Sequence, residues 1–304
     1  MTDLVLIIGT GALASLFAAR LTAQDIAVTM LGTWREGLAA LRQHGVTLVQ
    51  PDGSQQSYPV QATDNPEDCK GAKYALVLVK SWQTRRAARQ LTQCLRGDGV
   101  ALTLQNGLGN REALAEELGA SRVALGVTTT GATLLGPGRV RPGGEGTVSI
   151  GLHSRIGPLV NTLCKANFTV EVLDNVDTLI WGKLVVNAAI NPMTAVLQVP
   201  NGELLKRESA RQLSAELARE VAAVAKAQGI QLAYDDPVAI SETVMEKTAT
   251  NNSSMFQDIQ RGAPTEIEAI CGAVVEVGES VGVATPMNNA LWLLIRALRE
   301  SKRE

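Results

Sequence analysis

Two patterns of apolar spacing divide this chain. Up to about residue 174, short runs of Val, Leu, Ile and Ala alternate with segments of helical period. The runs fall at residues 4–8, 26–31, 74–79, 100–104, 122–133, 147–151 and 168–173. Nearly continuous apolar runs of that length suit strands buried on both faces of a sheet. Residues 46–63 differ: alternating and polar, they read as a β-hairpin turning at Pro51-Asp52-Gly53. The Gly/Pro-rich residues 136–146 read as a connector into the strand at 147–151, and residues 156–167 as a short helix. After Asp174 only helical periodicity remains, over 178–190, 209–228, 236–248, 264–281 and 288–302. The alternation predicts an α/β fold, with an N-terminal doubly wound parallel sheet in residues 1–174 and an all-helical C-terminal domain in 175–304. Residues 174–177 are the expected junction.

The first strand runs directly into Gly9-Thr10-Gly11-Ala12-Leu13-Ala14, and a helical segment follows. This is G-x-G-x-x-A in the strand–turn–helix setting of a Rossmann-type dinucleotide site. Gly9 permits the tight turn, Gly11 lets a pyrophosphate approach the backbone, and Ala14 keeps the helix close to the sheet. The helix N-terminus offers N–H donors to the phosphates. A merely tight turn is the bland alternative. At the end of the second strand, where an NAD site usually holds an acid for the ribose, stand Gly32 and Thr33, with Arg35 beyond. Arg35 is placed to meet a 2′-phosphate or to be a solvated residue at a helix start. Lys80 and Asn106-Gly107 end two later strands, on the rim where open α/β sheets bind ligands. A surface lysine and an ordinary turn are their plain alternatives.

Among the helical segments, the first is unusual. Lys183, Asn187 and Asn191 are spaced i, i+4, i+8 on an otherwise apolar background. At about 100° per residue they span roughly 80° of arc and form one polar line. A cation and two amides amid apolar surface are costly to bury unless something binds them. Asn201 follows in a turn, Ser253 and Ser254 occupy a polar loop, and Glu266 falls in the first turn of the expected helix at 264–281. Capping and dipole complementation are the ordinary uses of the serines and of Glu266.

Composition narrows the chemistry. At 45% hydrophobic and 19% charged the chain is globular, and with net charge −2 and no basic block it offers nothing to nucleic acid. Four Cys without ligand-like spacing read as reduced thiols in a cytoplasmic protein. Only His44 and His153 are available, which argues against a metal site and against a His acid. The apolar run at 4–19 resembles a signal segment, but Asp3 stands where a basic region belongs and the run is short for a bilayer. No other segment is expected to cross a membrane.

A dinucleotide that supplies hydride, together with an amide-lined lysine, suits reduction of a ketone. Lys183 would polarise the carbonyl and then act as general acid, while Glu266 orients the ammonium, a substrate hydroxyl or a cofactor ribose. Several stretches then carry a resemblance across nearly the whole chain: IIGTGALAS, LVLVKSWQT, LQNGLGN, WGKLVVNAAINPMTAV, VPNGELL, NNSSMFQDIQRGAPTEI and GVATPMNN. Together they resemble the ketopantoate reductase (2-dehydropantoate 2-reductase) family. The resemblance implies NADPH-dependent reduction of 2-dehydropantoate to (R)-pantoate, toward pantothenate and coenzyme A. It implies Lys183 as proton donor and Asn106, Asn187, Asn191, Asn201 and Ser254 as substrate ligands. Gly9 to Ala14, Lys80, Asn106, Ala132 and Glu266 would contact the cofactor. The chain departs from the family in having Thr33 where many members keep Arg, Ala14 where many have Gly, and no His in RPGGEG. Other expectations are a small 2-oxo acid as the partner, a monomeric or homodimeric state, and no membrane contact. The alternatives are a reductase of another 2-oxo acid and an NADP-sensing protein without turnover.

Overall fold

The computed structural model describes residues 4–300. They form two compact units, one of residues up to 105 with 110–176, the other of 106–109 with residues from 177 onward.

The first unit is built on β1 (Val5–Ile8), β2 (Val28–Leu31), β3 (Val46–Val49), β4 (Gln55–Tyr58), β5 (Gln61–Thr63), β6 (Ala72–Val77), β7 (Leu95–Thr103), β8 (Val123–Thr128), β9 (Ala132–Gly136), β10 (Arg139–Pro142), β11 (Thr147–Gly151) and β12 (Thr169–Leu173). Its helices are α1 (Ala12–Thr22), α2 (Arg35–His44), α3 (Thr84–Cys94), α4 (Asn110–Leu118) and α5 (Gly157–Lys165). The main sheet has eight strands in the order β12-β11-β8-β7-β6-β1-β2-β5. Alternation along β1 shows why its run is apolar throughout. Val5 and Ile7 enter one buried cluster with Phe17 of α1 and Leu159 of α5, while Leu6 and Ile8 enter another with Leu91 of α3 and Leu114 of α4. Both faces are covered, as in a doubly wound sheet. Phe17 and Phe168 stack at 4.2 Å between centroids and join α1 to the start of β12.

Three details differ from the sequence reading. β11 runs antiparallel to β8, so the sheet is mostly but not wholly parallel. The run at 122–133 is two strands, and the connector at 136–146 contains β10, which pairs with β9 and with β3. Together with the β3–β4 hairpin they make a second sheet in the order β4-β3-β10-β9. Finally, β5 leaves the hairpin segment and pairs with β2 in the main sheet.

The second unit consists of α6 (Asp177–Leu197), α7 (Glu208–Ala227), α8 (Pro237–Lys247), α9 (Ser254–Gln260), α10 (Ala273–Val281) and α11 (Pro286–Glu300). The expected extension of the last helix to Lys302 lies outside the described residues. Helix α6 packs against α7, α8, α9 and α11. It buries Trp181, Leu184, Val185, Ala188, Ala189 and Ile190, so it is the axis of this core. With 21 residues it is also long and apolar enough to cross a bilayer, contrary to the sequence reading, but most of it is buried in the protein. It continues through Pro192, past its expected end at Ile190. Proline removes the N–H that would reach the Ala188 carbonyl, yet the helix runs on because packing buries the turn around it. The expected helix at 264–281 likewise breaks: residues 263–265 are irregular, a π-helix spans Glu268–Gly272, and only then does α10 begin. The Gly272 N–H reaches back to the Ile267 carbonyl at 3.0 Å, the i→i−5 bond of that form.

Candidate active site

In the first unit the turn after β1 has the shape a dinucleotide needs. Gly9 has φ +129°, and a Cβ there would stand 3.1 Å from the Leu78 carbonyl oxygen, so only glycine fits. Its N–H donates to the Leu31 carbonyl at 2.8 Å, which ties the turn to the end of β2. Gly11 is the N-cap of α1 and carries no side-chain cap; a Cβ there would meet nothing within 4 Å. The first N–H groups of α1, at Ala12 and Leu13, therefore face an open approach without an intrahelical acceptor. No acid occupies that first turn, so the positive helix end is available to phosphate. Ala14 is fully buried against the sheet. Thr10 lies against Gly32, where a Cβ would come within 2.6 Å of Thr10 Cγ2. Thr33 and Arg35 are exposed at the end of β2, with Arg35 opening α2. Lys80 is half-buried ahead of the short turn Ser81–Gln83, and half-buried Ala132 opens β9. The residues present thus fit a dinucleotide pyrophosphate.

In the second unit the polar line of α6 survives as a half-buried Lys183, a half-buried Asn187 and a buried Asn191. The residues 106–109 belong here and not with the sheet that delivers them. Leu108 N–H donates to the Ala269 carbonyl at 2.9 Å, and Gly107 sits so close that a Cβ would stand 2.2 Å from that same oxygen. Ala269 lies in the π-helix, so this irregularity provides the carbonyl that holds the loop. The result places Asn106 Nδ2 3.4 Å from Glu266 Oε2, a long hydrogen bond. Glu266 is 5% exposed and lies just before the π-helix, not in the first turn of a regular helix. Its carbonyl accepts from both Ala269 and Ile270 at 3.1 Å, which fixes its backbone.

Burial pulls the Lys183 ammonium down to about pH 8, and the Glu266 carboxylate limits the fall. A lysine in that range can release its proton near neutrality and remain mostly charged beforehand, which is the requirement for a general acid. Lys183, Glu266 and Asn106 therefore form one electrostatic group. The remaining amides are held separately. Asn191 neighbours the Thr194–Ser253 pair, whose hydroxyl oxygens are 2.7 Å apart. Ser253, not Ser254, caps α9 by accepting the Phe256 N–H at 3.1 Å, which leaves the half-buried Ser254 hydroxyl outside the cap. Asn201 is 7% exposed in a 3-10 turn that packs against α6 and α8. The groove between α7 and α8, lined by Arg211, Glu242 and Val238, contains none of these residues.

Several supporting side chains carry no signal in the sequence. In the first unit Gln105 Nε2 donates to the Val79 carbonyl at 2.9 Å and to Thr84 Oγ1 at 2.8 Å, tying together the loops after β6 and β7. In the second, Tyr234 donates to the Gly182 carbonyl at 3.0 Å beside Lys183, and Thr248 holds Asn201. Burial pushes the Tyr234 hydroxyl up to about 12, so it stays a donor. None belongs to a local motif, and only their tertiary partners reveal them.

Comparison with known proteins agrees with this fold. Two family models, "Ketopantoate reductase PanE/ApbA" and "Ketopantoate reductase PanE/ApbA C terminal", match residues 5–155 and 175–299. A 2-dehydropantoate 2-reductase of Halobacterium salinarum is 37% identical over 300 residues, covering 96% of this chain and 97% of that protein. Another, from Archaeoglobus fulgidus, is 35% identical over 302 residues, with 97% of each covered. The crystal structure of a PanE/ApbA family ketopantoate reductase from Ralstonia eutropha superposes with TM-score 0.92 at 30% identity, over 99% of this chain and 100% of that one. A ternary structure of D-mandelate dehydrogenase with NADH and anilino(oxo)acetate also reaches TM-score 0.92, at 25% identity and the same coverage. With both of its halves matched by family models and full-length relatives above 30% identity, the chain belongs to the ketopantoate reductase family.

Proposed function

We propose that this chain reduces 2-dehydropantoate (ketopantoate) to (R)-pantoate with NADPH, the step that leads toward pantothenate and coenzyme A. The observation that carries the reading is the half-buried Lys183, lowered to about 8 yet held near a buried Glu266. The chemistry a bound NADPH supplies is hydride, delivered to the carbonyl carbon. Gly9, Thr10, Gly11, Ala12, Leu13 and Ala14 would hold its pyrophosphate, Thr33 and Arg35 its adenosine end, and Lys80, Asn106, Ala132 and Glu266 would complete its contacts. Lys183 donates a hydrogen bond to the substrate keto oxygen, favours the negative charge that builds there, and gives up its proton as the alcohol forms. Glu266 keeps the ammonium charged until that moment. Asn106, Asn187, Asn191, Asn201 and Ser254 bind the carboxylate and hydroxyl of the substrate without adding charge. The enzyme works in the cytoplasm on this small molecule, as a monomer or a homodimer; its thiols, all unpaired, fit a reducing compartment.

A second reading is reduction of another 2-oxo acid. It is favoured by the equally close superposition of a D-mandelate dehydrogenase solved with NADH and anilino(oxo)acetate. The intact Lys183–Glu266 pair argues against a sensor without turnover. Incubation with NADPH and ketopantoate decides the matter: stoichiometric NADPH oxidation with (R)-pantoate as product supports the proposal, and absence of turnover overturns it.

A further inference from the structure

The amide of Asn201 is polarised by its surroundings. Its Nδ2 lies 2.8 Å from Thr248 Oγ1, and Thr248 Oγ1 lies 2.7 Å from the Val244 carbonyl oxygen. A carbonyl only accepts, and a hydroxyl has a single hydrogen to donate. The Thr248 hydrogen is therefore committed to Val244, and Thr248 Oγ1 can only accept from Asn201. The orientation of the amide follows from that chemistry and does not depend on an arbitrary choice between O and N. The backbone adds stiffness: Asn201 N–H donates to the Asn251 carbonyl at 3.0 Å and Gly202 N–H to the Ala249 carbonyl at 3.1 Å. A side chain at Gly202 would collide with Ala249, at 2.6 Å from its Cβ. On the other side of the amide, Asn201 Oδ1 is buried and accepts no hydrogen bond from the described residues. A buried acceptor of this kind is costly without a donor.

We infer that Thr248 is a positioning residue that makes Asn201 an obligate acceptor, so that Asn201 reads a hydroxyl of the substrate and not its carboxylate. The inference rests on ketopantoate being the substrate. A carboxylate only accepts and would repel Oδ1; the primary hydroxyl of ketopantoate is a donor and satisfies it. A substrate lacking that hydroxyl leaves Oδ1 unpaired, and this difference discriminates between 2-oxo acids of similar size. Thr248 touches no reacting atom. Its effect passes through the orientation of one amide.

The test compares kcat/KM for ketopantoate and for trimethylpyruvate, in which a methyl replaces the hydroxymethyl arm. Wild-type protein is expected to favour ketopantoate by at least about 100-fold, as a site that hydrogen-bonds a substrate hydroxyl does. Thr248→Val keeps the shape and removes the hydroxyl, so the amide is free to turn. The ratio is expected to shrink about tenfold, through a higher KM for ketopantoate alone, given the usual cost of one unmade hydrogen bond. Thr248→Ser restores the ratio, and Thr248→Ala repeats the loss if the valine variant folds poorly. A ratio unchanged in Thr248→Val and Thr248→Ala, or an equal fall for both substrates, overturns this inference alone. Wild-type protein that fails to reduce ketopantoate overturns it together with the reading of function.

Discussion

Replacing Lys183 with Met separates catalysis from stability in opposite directions. The side chain keeps its length and loses its charge. In the folded protein the ammonium is disfavoured by burial, with its pKa taken from 10.5 to about 8 even with Glu266 beside it. At about 1.4 kcal/mol per pH unit, that difference is roughly 3.5 kcal/mol against the charged form. Lys183 is half-buried, so screening by water reduces the usable portion to about 1–2 kcal/mol. Lys183→Met is thus expected to raise stability at pH 7, lifting the thermal midpoint by about 3 °C. The sign has a pH signature. Between pH 8 and 10.5 the unfolded chain holds the lysine proton that the native protein has released, so wild-type stability rises with pH across this window. The advantage of the Met variant shrinks across the same window and is gone above it. Activity moves the other way, because loss of the general acid lowers kcat by about 10²–10⁴-fold. Calorimetry at pH 7 and pH 10, beside NADPH-oxidation kinetics, measures both. A Met variant less stable at pH 7, an advantage indifferent to pH, or kcat retained within about tenfold would refute the reasoning.

Three further outcomes follow from the same geometry. Since Glu266 raises the Lys183 pKa, the fall in reduction rate expected as pH rises through about 8 moves to lower pH in Glu266→Gln, and an unmoved profile contradicts the coupling. Gly11→Ala, whose Cβ meets nothing, is expected to leave the fold within about 0.5 kcal/mol while weakening NADPH binding, whereas Gly9→Ala strains a φ of +129° and loses stability as well; denaturant titration and NADPH fluorescence separate the two. NADPH is preferred over NADH in kcat/KM, and Arg35→Ala narrows the preference; equal values in wild-type protein would remove Arg35 from the cofactor site.

The legible regions of the chain are those whose signal is local. The strand–turn–helix around Gly9 and Gly11 needs only a φ that glycine alone adopts and an uncapped helix end, and both are written in consecutive residues. The line Lys183, Asn187, Asn191 needs only helical period. Local preference misleads where tertiary contacts override it. Pro192 does not end α6, because the turn around it is buried in the helical core. Residues 136–146 have the composition of a Gly/Pro connector, yet Val140 is fully buried in a strand that pairs on both sides. Periodicity puts Glu266 in a helix that does not exist at that point. The π-helix after it has no sequence signature, yet it is what draws residues 106–109 into the helical unit. Thr248 and Tyr234 act on Asn201 and Gly182 across 47 and 52 positions of sequence, beyond the reach of any motif.

The central claim is that the site serves a compact, hydroxyl-bearing 2-oxo acid. Its most direct test is kcat/KM with NADPH for ketopantoate beside phenylglyoxylate, the oxo acid of mandelate, on the same preparation. A value for ketopantoate higher by at least about 100-fold is predicted, because the fixed amide acceptor is left unpaired by the aryl acid. Equal values, or a preference for phenylglyoxylate, would contradict the account.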